Sequence, residues 1–402
     1  MRNLKVNWPW VREKLFFILP PLCLAIFLSM WASWIIAKSA YAPRSGHPIG
    51  PDFSYCWAAA SLVLGGDPAA VYDFARIHAV EMAHFGVDLN VPWPYPPSYL
   101  LLLLPFGVLP YLPSLAVWLS TTLAGYLFII HRIAPHPRVL WFALAFPGAF
   151  QNLFFCQNGF LSAIFLGGGL LLLDRSPWLA GLLLALLTYK PHLAVLVPLA
   201  LAAGGRWRAL LAMLAGTGVL VLATALALGP QVWAAFVNHI PKAMKILETG
   251  GLNLAHMMPT VFAAVQLSGA GVASARVLQG VTMLAVAGLI VWVWRRESPP
   301  PLRNAMLVLG ILLFPPHGYV YDLAILALPM AWLGWEGCTK GWRPGEKTLL
   351  FLAWISPVAM PLLAQATYVQ LTPLVLMGLI FLVLRRTLQE SPAPAWKIEI
   401  AV

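Results

Sequence analysis

Residues 15–37 read LFFILPPLCLAIFLSMWASWIIA, a run of 23 positions without one charged side chain. Crossing the hydrocarbon core of a bilayer takes about 20 apolar residues, so this run is long enough to span a membrane. It is longer than the apolar core of a cleaved signal peptide, about 7–15 residues, and we predict a retained first span. Four basic residues and one acidic residue precede it. This bias predicts a cytoplasmic N-terminus.

The composition of the whole chain extends this interpretation. Hydrophobic residues make up 60% of the 402 positions and charged residues only 10%, whereas a soluble domain carries about 25% charged residues. So few charges cannot coat a water-facing surface, but they suffice for short loops between spans. The net charge of +11 sits mostly in short clusters beside apolar runs. It therefore indicates topology rather than a nucleic-acid partner. We predict an all-α polytopic membrane protein with one integral membrane domain over residues 1–402.

Apolar segments continue almost without interruption from residue 98 onward, and many are short or broken by Pro or Gly. Such breaks are tolerated in membranes where neighbouring groups satisfy the backbone. Together with the first span they predict about 12–13 membrane helices. The further segments are 98–110, 114–131, 138–154, 159–173, 177–189, 192–204, 208–228, 273–294, 302–315, 320–335, 348–366 and 372–386.

Orientation follows from the basic clusters, which are predicted to be cytoplasmic. These clusters are 206–208, 295–296, 340–347 and 385–386. Two hydrophilic stretches, 38–97 and 229–258, are then predicted as extracytoplasmic loops. The segment count conflicts with this orientation between residues 98 and 204. At least one segment there must therefore be re-entrant or broken.

The first hydrophilic stretch contains two predicted short helices, Asp52–Leu64 and Asp73–Phe85, the second with an apolar stripe suited to a membrane surface. His78, Glu81 and His84 share that second helix. Their three-residue spacing matches no recognised metal motif, and we favour a solvated or headgroup-facing side over a metal site. We expect no metal and no cofactor. The four cysteines show no metal spacing, and no disulfide is predicted.

Asp52 is the acid that the sequence singles out. It follows the stiff approach Pro48-Ile49-Gly50-Pro51 and precedes an aromatic run, which would place a carboxylate at the membrane surface beside apolar bulk. Partial desolvation makes such a group a better proton acceptor. The alternative is that Asp52 only caps a helix that starts at Phe53.

Several other polar groups stand in apolar surroundings. Lys190 lies between two apolar runs, where an ionisable group is by default a functional candidate and a phosphate could satisfy it; alternatively its amine snorkels to the interface. His317 follows Pro315-Pro316, where a helix must break, and either donates to a phosphate or is a polar loop residue. Gln157-Asn158 either bridges helices or contacts a polar ligand.

The sequence contains no Walker A, Gly-x-Gly-x-x-Gly, Asp-x-Asp or His-Glu-x-x-His motif, and no serine hydrolase elbow. Nothing in it therefore indicates the use of a cytoplasmic nucleotide or nucleotide sugar.

The order of these motifs resembles that of glycosyltransferase family 87, bacterial polyprenyl-phosphate-mannose-dependent mannosyltransferases with the GT-C fold. The late motif Pro-Pro-His-Gly-Tyr lacks the fuller Ser-Trp-His arrangement associated with that family. The matching features are Pro51-Asp52-Phe53-Ser54-Tyr55, Leu64-Gly65-Gly66-Asp67-Pro68, Val71-Tyr72-Asp73, Tyr95-Pro96-Pro97, Cys156-Gln157-Asn158-Gly159, Ala180-Gly181, Lys190-Pro191, Arg206-Trp207-Arg208-Ala209 and Pro315-Pro316-His317.

The resemblance implies an inverting transfer of a mannose-like hexose from a polyprenyl-phosphate donor to a lipid or glycan hydroxyl. The site would face the periplasm or exterior from a bacterial inner membrane. Asp52 would be the catalytic base, and Lys190 and His317 would hold the donor phosphate. The residues expected to line the substrate pocket are Tyr95, Gln157, Asn158 and His256.

Two other classes share the many broken helices. A transporter or lipid flippase would also use a lysine at membrane depth, but the segment pattern shows no two-fold repeat and the large early loop is unusual for that class. An O-antigen polymerase or ligase usually has its large loop late in the chain.

Overall fold

The computed structural model describes residues 18, 20–33, 36, 48–86, 93–296 and 298–390, without the side chains of 244, 246–253 and 390. The basic N-terminal flank and parts of the predicted first span and first loop lie outside these residues. Every regular element in the described part of the chain is a helix. The described part of the first span is helix α1, Pro20–Ser33.

Apolar helices dominate the described residues, and five of them are long enough and apolar enough to cross a membrane. Shorter apolar helices pack among them. The prediction of an all-α polytopic membrane protein is confirmed. The five long helices are α5 (Tyr111–Ile133), α12 (Trp207–Leu228), α15 (Val272–Arg295), α18 (Glu346–Thr367) and α19 (Thr372–Glu390). The others in this part of the chain are α4 (Pro97–Gly107), α6 (Pro137–Leu144), α7 (Pro147–Phe155), α8 (Gly159–Leu172), α9 (Pro177–Leu186), α10 (Pro191–Ala194), α11 (Leu196–Ala203), α13 (Gln231–Leu254), α14 (Val261–Leu267), α16 (Pro300–Leu313) and α17 (Ala327–Lys340).

Helix breaks fall where the predicted segment count conflicted with the orientation. The predicted segment 138–154 is divided between α6 and α7, with Pro147 as the first residue of α7. A second break lies at Lys190, between a 3-10 turn and α10. Proline lacks an N–H and disfavours a helical conformation in the residue before it. Pro147 and Pro191 therefore each lie where one helix has ended and the next begins. α10 and α11 continue as one apolar helix, Pro191–Ala203.

The first hydrophilic stretch folds largely as predicted. α2 covers Pro51–Leu64, a 3-10 helix covers Pro68–Tyr72, and α3 covers Phe74–Phe85. The Asp73 side chain caps α3 by accepting from the backbone N–H groups of Ala75 and Arg76. The predicted helices are therefore confirmed to within a residue, and Asp73 has the capping role that its position indicates.

Most of the second hydrophilic stretch, for which no helix was predicted, is the single helix α13. Two aromatic side chains of α13, Phe236 and His239, pack against Tyr72 with ring centroids 5.6 and 5.7 Å apart. The two hydrophilic stretches thus form one packed unit.

Candidate functional site

Asp52 lies in the first turn of α2, at a helix start fixed by its neighbours. Gly50 is the N-cap residue with φ of 74°, a left-handed conformation that glycine adopts without steric penalty. The Tyr111 hydroxyl donates to the carbonyls of Ile49 and Gly50, the latter at 2.9 Å. The helix begins at Pro51 and has no side-chain cap. The alternative in which Asp52 only caps a helix from Phe53 is therefore wrong.

The Asp52 carboxylate instead accepts a hydrogen bond from across the fold. Gln157 Nε2 donates to Asp52 Oδ2 at 2.9 Å. The amide of Gln157 is itself held, because its Oε1 accepts from the backbone N–H of Asn158 at 3.0 Å and from the Tyr95 hydroxyl at 3.4 Å. These bonds fix which end of the amide faces Asp52. Of the two alternatives for Gln157-Asn158, bridging between helices is observed, because Gln157 joins the turn after α7 to Asp52 on α2. Contact with a polar ligand remains a prediction.

A tight turn between α7 and α8 presents this amide. Cys156 has a φ of 55°, which is uncommon for a residue other than glycine. Gly159 donates its N–H to Asn152 Oδ1 at 2.7 Å, and a Cβ on Gly159 would lie 2.6 Å from the carbonyl oxygen of Tyr321. The turn can therefore approach the segment that carries Tyr321 only because residue 159 has no side chain.

The environment of Asp52 makes it a better proton acceptor than an exposed aspartate. Burial raises its pKa from 3.8 to about 6, although the Gln157 hydrogen bond and the positive charge of Lys190 act in the opposite direction. The residue as a whole is half-buried. A carboxylate with this pKa is ionised at neutral pH and can still accept a proton.

Lys190 lies close to Asp52 and forms a buried ion pair that the sequence analysis missed. Its Nζ is 2.5 Å from Asp322 Oδ1, and the two side chains are 3% and 7% exposed. His192 Nε2 lies 3.8 Å from Asp322 Oδ2, with 36% of the histidine side chain exposed. Lys190 is thus paired inside the protein, and the snorkelling alternative is wrong.

Asp322 owes its charge to this pairing. Burial disfavours an isolated carboxylate, and the positive charge of Lys190, whose Nζ lies 2.5 Å from Asp322 Oδ1, compensates this cost. The sequence contained one indication that Asp322 is paired, because an acidic residue in an apolar segment usually has a basic partner. The sequence did not identify the partner, because Asp322 lies 132 positions from Lys190.

A wall of tyrosine rings lies between Asp52 and the ion pair of Lys190 and Asp322. The rings of Tyr95 and Tyr99 lie 4.8 Å apart, and those of Tyr99 and Tyr189 lie 4.7 Å apart. The Tyr189 hydroxyl donates to the carbonyl of Asn158 at 2.9 Å, and Asn158 Nδ2 donates to the Tyr99 hydroxyl at 3.2 Å. Of the predicted site residues, the fold therefore brings Asp52, Tyr95, Gln157, Asn158 and Lys190 together.

His317 and His256 occupy a neighbouring region. The His317 ring meets Phe262 at a centroid distance of 5.1 Å. His256 lies in the 3-10 turn Ala255–Met257, and its backbone carbonyl accepts from Gln370 Nε2 at 3.0 Å. His317 therefore lies beside α14, and His256 lies in the turn that precedes α14. The roles assigned to both histidines remain predictions.

Among the described residues, no group of three or more His, Cys, Asp or Glu side chains is arranged to hold a metal ion. On α3, Glu81 is only 2% exposed, and the His84 ring packs on Trp57 with centroids 5.0 Å apart. The prediction that these residues form a solvated or headgroup-facing side is wrong for Glu81, which is buried inside the protein.

Comparison with known proteins identifies the family. The model of glycosyltransferase family 87 matches residues 93–316, more than half of the chain. The matched range contains Tyr95, Gln157, Asn158 and Lys190, and the fold brings Asp52 to them from outside it. No curated protein and no solved structure matches the chain. The chain therefore belongs to glycosyltransferase family 87 and is a membrane-embedded glycosyltransferase.

Proposed function

We propose that this enzyme moves a mannose-like hexose from a polyprenyl-phosphate donor to a hydroxyl of a lipid or glycan acceptor, with inversion at the anomeric carbon. One observation carries the proposal. A half-buried carboxylate with a pKa of about 6 lies within electrostatic reach of a lysine in an apolar setting. A sugar joined to a lipid phosphate needs both features, a proton acceptor for the incoming hydroxyl and positive charge for the outgoing phosphate.

The proposed reaction balances with one base. The acceptor oxygen bonds to the anomeric carbon, its proton passes to Asp52, and the bond from that carbon to the phosphate oxygen breaks with its electron pair leaving on polyprenyl phosphate. Phosphate is a good leaving group, so no strong general acid is required. This differs from glycoside hydrolases, which use two carboxylates. General base catalysis of this kind contributes about 10²–10⁴-fold.

Basic side chains would bind the phosphate of the donor. Charge-assisted hydrogen bonds to phosphate are about twice as strong as neutral ones, which supports Lys190 and His317 as donor-phosphate ligands. Because Asp322 already pairs with Lys190, the lysine would be shared between carboxylate and phosphate. Tyr95, Gln157, Asn158 and His256 are proposed to line the sugar or acceptor pocket.

The proposed location is a bacterial inner membrane with the N-terminus in the cytoplasm and the site facing the periplasm or exterior. The basic clusters of the sequence support this orientation. A donor dissolved in the same membrane needs no soluble nucleotide sugar, in agreement with the absence of nucleotide motifs from the sequence.

Reconstituted protein tests the proposal against the transporter alternative. Proteoliposomes receive polyprenyl-phosphate mannose labelled in the sugar, together with a membrane extract as acceptor. We expect the label to move to the acceptor while free polyprenyl phosphate is released in equal amount. Appearance of intact labelled donor on the opposite leaflet, without transfer, would contradict the proposal and favour a flippase.

The pH dependence of transfer is a further prediction. Asp52 must be ionised to accept a proton, so the rate should fall as pH drops below about 6, reaching about a tenth of its plateau one pH unit lower. Gln157→Leu removes a hydrogen bond that lowers the Asp52 pKa, and should move the acid limb to higher pH. The measurement is transfer rate from pH 5 to 8; an unmoved limb in this variant would contradict the assignment.

A further inference from the structure

Two neighbouring tyrosines that the proposed mechanism does not use form a stacked pair beside the site. The ring centroids of Tyr319 and Tyr321 lie 5.4 Å apart, and the ring planes differ by only 19°. Both residues are half-buried, whereas Val320 between them is fully buried. By comparison, Tyr95 and Tyr99 are 8% and 0% exposed. The stacked pair, which we name the tyrosine platform, is therefore partly accessible in a region where other tyrosines are buried.

The tyrosine platform adjoins both groups that the proposed reaction uses, the lysine for the phosphate and the carboxylate for the acceptor. Lys190 Nζ is 5.4 Å from the ring centroid of Tyr321. The backbone of Tyr321 packs against the turn that presents Gln157 to Asp52, because a glycine in that turn leaves room for the Tyr321 carbonyl. Burial and the charge of Asp52 raise the pKa of Tyr319, so its hydroxyl stays protonated and can donate a hydrogen bond.

A buried amide holds the start of the segment that carries the platform. The two prolines after Phe314 end α16 and have no backbone N–H groups to donate. Gln279, which is 2% exposed, donates through Nε2 to the carbonyls of Leu313 and Phe314 at 3.0 and 2.9 Å. Its Oε1 accepts from the backbone N–H of Phe262 at 3.0 Å. One amide thus joins the end of α16 to the beginning of α14.

The ion pair of Lys190 and Asp322 holds the other end of this segment. The backbone N–H of Asp322 donates to the carbonyl of Tyr319 at 2.9 Å, which closes a turn between the platform and the ion pair. Tyr319 also packs against the apolar cluster that contains Met258 and Ala263. Contacts within the protein therefore orient the platform, so a ligand that binds to it would order few side chains.

We propose that the tyrosine platform binds the hexose ring of the donor and helps to select the sugar that is transferred. In the proposed reaction the anomeric carbon is joined to a phosphate at Lys190 and is attacked by an oxygen beside Asp52, so the hexose lies against the platform that adjoins both. The C–H groups of a pyranose carry partial positive charge and pack on the negative face of an aromatic ring. The phenol hydroxyls can hydrogen-bond to sugar hydroxyls. The inference rests on the proposed function for the identity of the donor.

Binding of two lipids tests the proposal without any transfer. The intact protein in nanodiscs is titrated with polyprenyl-phosphate mannose and, separately, with polyprenyl phosphate that carries no sugar; no acceptor is present. Tyr319→Leu and Tyr321→Leu should each weaken binding of the mannose-bearing lipid about tenfold, because leucine has no aromatic face. Binding of the lipid without sugar should change less than about twofold. A purely structural role of the rings would weaken binding of both lipids equally.

Two further variants separate loss of stacking from other effects. Tyr319→Phe keeps the aromatic face and loses only the hydroxyl, so it should weaken binding of the mannose-bearing lipid about threefold and retain most of the preference for that lipid. Phe128→Leu is the matched control, because it also replaces an aromatic ring by leucine, at a position on α5 that is 61% exposed and outside the platform. This control should bind both lipids as tightly as the unmutated protein does.

Crosslinking to the unmutated protein gives a result that does not depend on the folding of a variant. Polyprenyl-phosphate mannose with a photoreactive group on the sugar should crosslink to Tyr319 or Tyr321. Crosslinks confined to other segments would overturn the proposal, and so would equal or absent effects of the leucine variants on the two lipids. Selective loss of the mannose-bearing lipid in a protein that transfers no mannose would reject the proposed reaction and keep the sugar site. Mannose transfer without that selective loss would keep the reaction and reject the platform.

Discussion

Asp52→Asn is expected to lower the rate of sugar transfer by about 10²–10⁴-fold, because it removes the proton acceptor and preserves the shape of the side chain. The hydrogen bond from Gln157 has an acceptor in both residues, since an asparagine oxygen can replace Asp52 Oδ2. The KM for the donor should change little, because Asp52 acts on the acceptor hydroxyl. Initial rates over a range of donor concentrations separate the two parameters.

The same substitution should not destabilise the fold at neutral pH. The Asp52 pKa is raised from 3.8 in an ordinary environment to about 6 in the folded protein. Folding therefore favours the protonated form, and the stability it gives is complete below pH 3.8 and lost as pH rises through about 6. That difference in pKa corresponds to at most about 3 kcal/mol. Asparagine avoids this loss, so thermal stability in detergent at pH 7.5 should match or exceed that of the unmutated protein.

Loss of activity with retained or increased stability is what distinguishes a functional carboxylate from a structural one. Asp67→Asn provides the control: Asp67 lies in the same stretch, accepts from Ala70, and pairs with Arg76 at an exposed position. It should transfer sugar at a nearly unchanged rate. Transfer by Asp52→Asn within about threefold of the unmutated rate would remove Asp52 from the role of base, given that general base catalysis contributes far more.

Local features of the sequence determined much of this fold. Proline residues account for both breaks that shape the site, at Pro147 and Pro191, because a proline constrains its own backbone and that of the preceding residue. The predicted segments 177–189 and 192–204 left a gap at Pro191, whereas the predicted segment 138–154 ran through Pro147. The cap at Asp73 is equally local. The segment 229–258 was predicted as an extracytoplasmic loop and no helix was assigned to it, although most of it is helical. Its packing on Tyr72 depends on a residue more than 150 positions away. Helix propensity, which is a local property of the sequence, does not predict a contact over that distance in the chain.

The site was predictable only in part for the same reason. Asp52 and Lys190 stood out because each is an ionisable group in apolar surroundings, and the family resemblance gave them roles. Asp322 stood in similar surroundings, but the resemblance assigned it no role, and the sequence could not show that Lys190 is its partner. Gln157 was recognised as a polar interruption. That its amide supports Asp52 follows from the turn at Cys156 and Gly159, which forms only in the folded chain.

The second large effect is expected at the buried pair of Lys190 and Asp322. Lys190→Met or Asp322→Leu alone leaves an uncompensated charge in the interior, which typically costs about 3–5 kcal/mol of stability. The double substitution removes both charges and should recover most of that loss. A double-mutant cycle measured by thermal unfolding in detergent gives the coupling between the two residues. Arg76 and Asp67 form the control pair, for which exposed partners predict a coupling of about 0–1 kcal/mol.

Sugar-transfer activity distinguishes a structural role of the Lys190–Asp322 pair from a role in binding the donor phosphate. If it serves only to hold the fold together, the double variant regains transfer along with its stability. We expect transfer to remain impaired, because the phosphate then meets an apolar surface where Lys190 was. The KM for the donor should rise about 10–100-fold, the range expected for the loss of a hydrogen bond to a charged group, while maximal turnover falls less. A stable double variant with an unchanged KM would show that Lys190 only compensates the charge of Asp322. Lys190 would then not be a ligand of the donor phosphate, and His317 would remain as the proposed ligand.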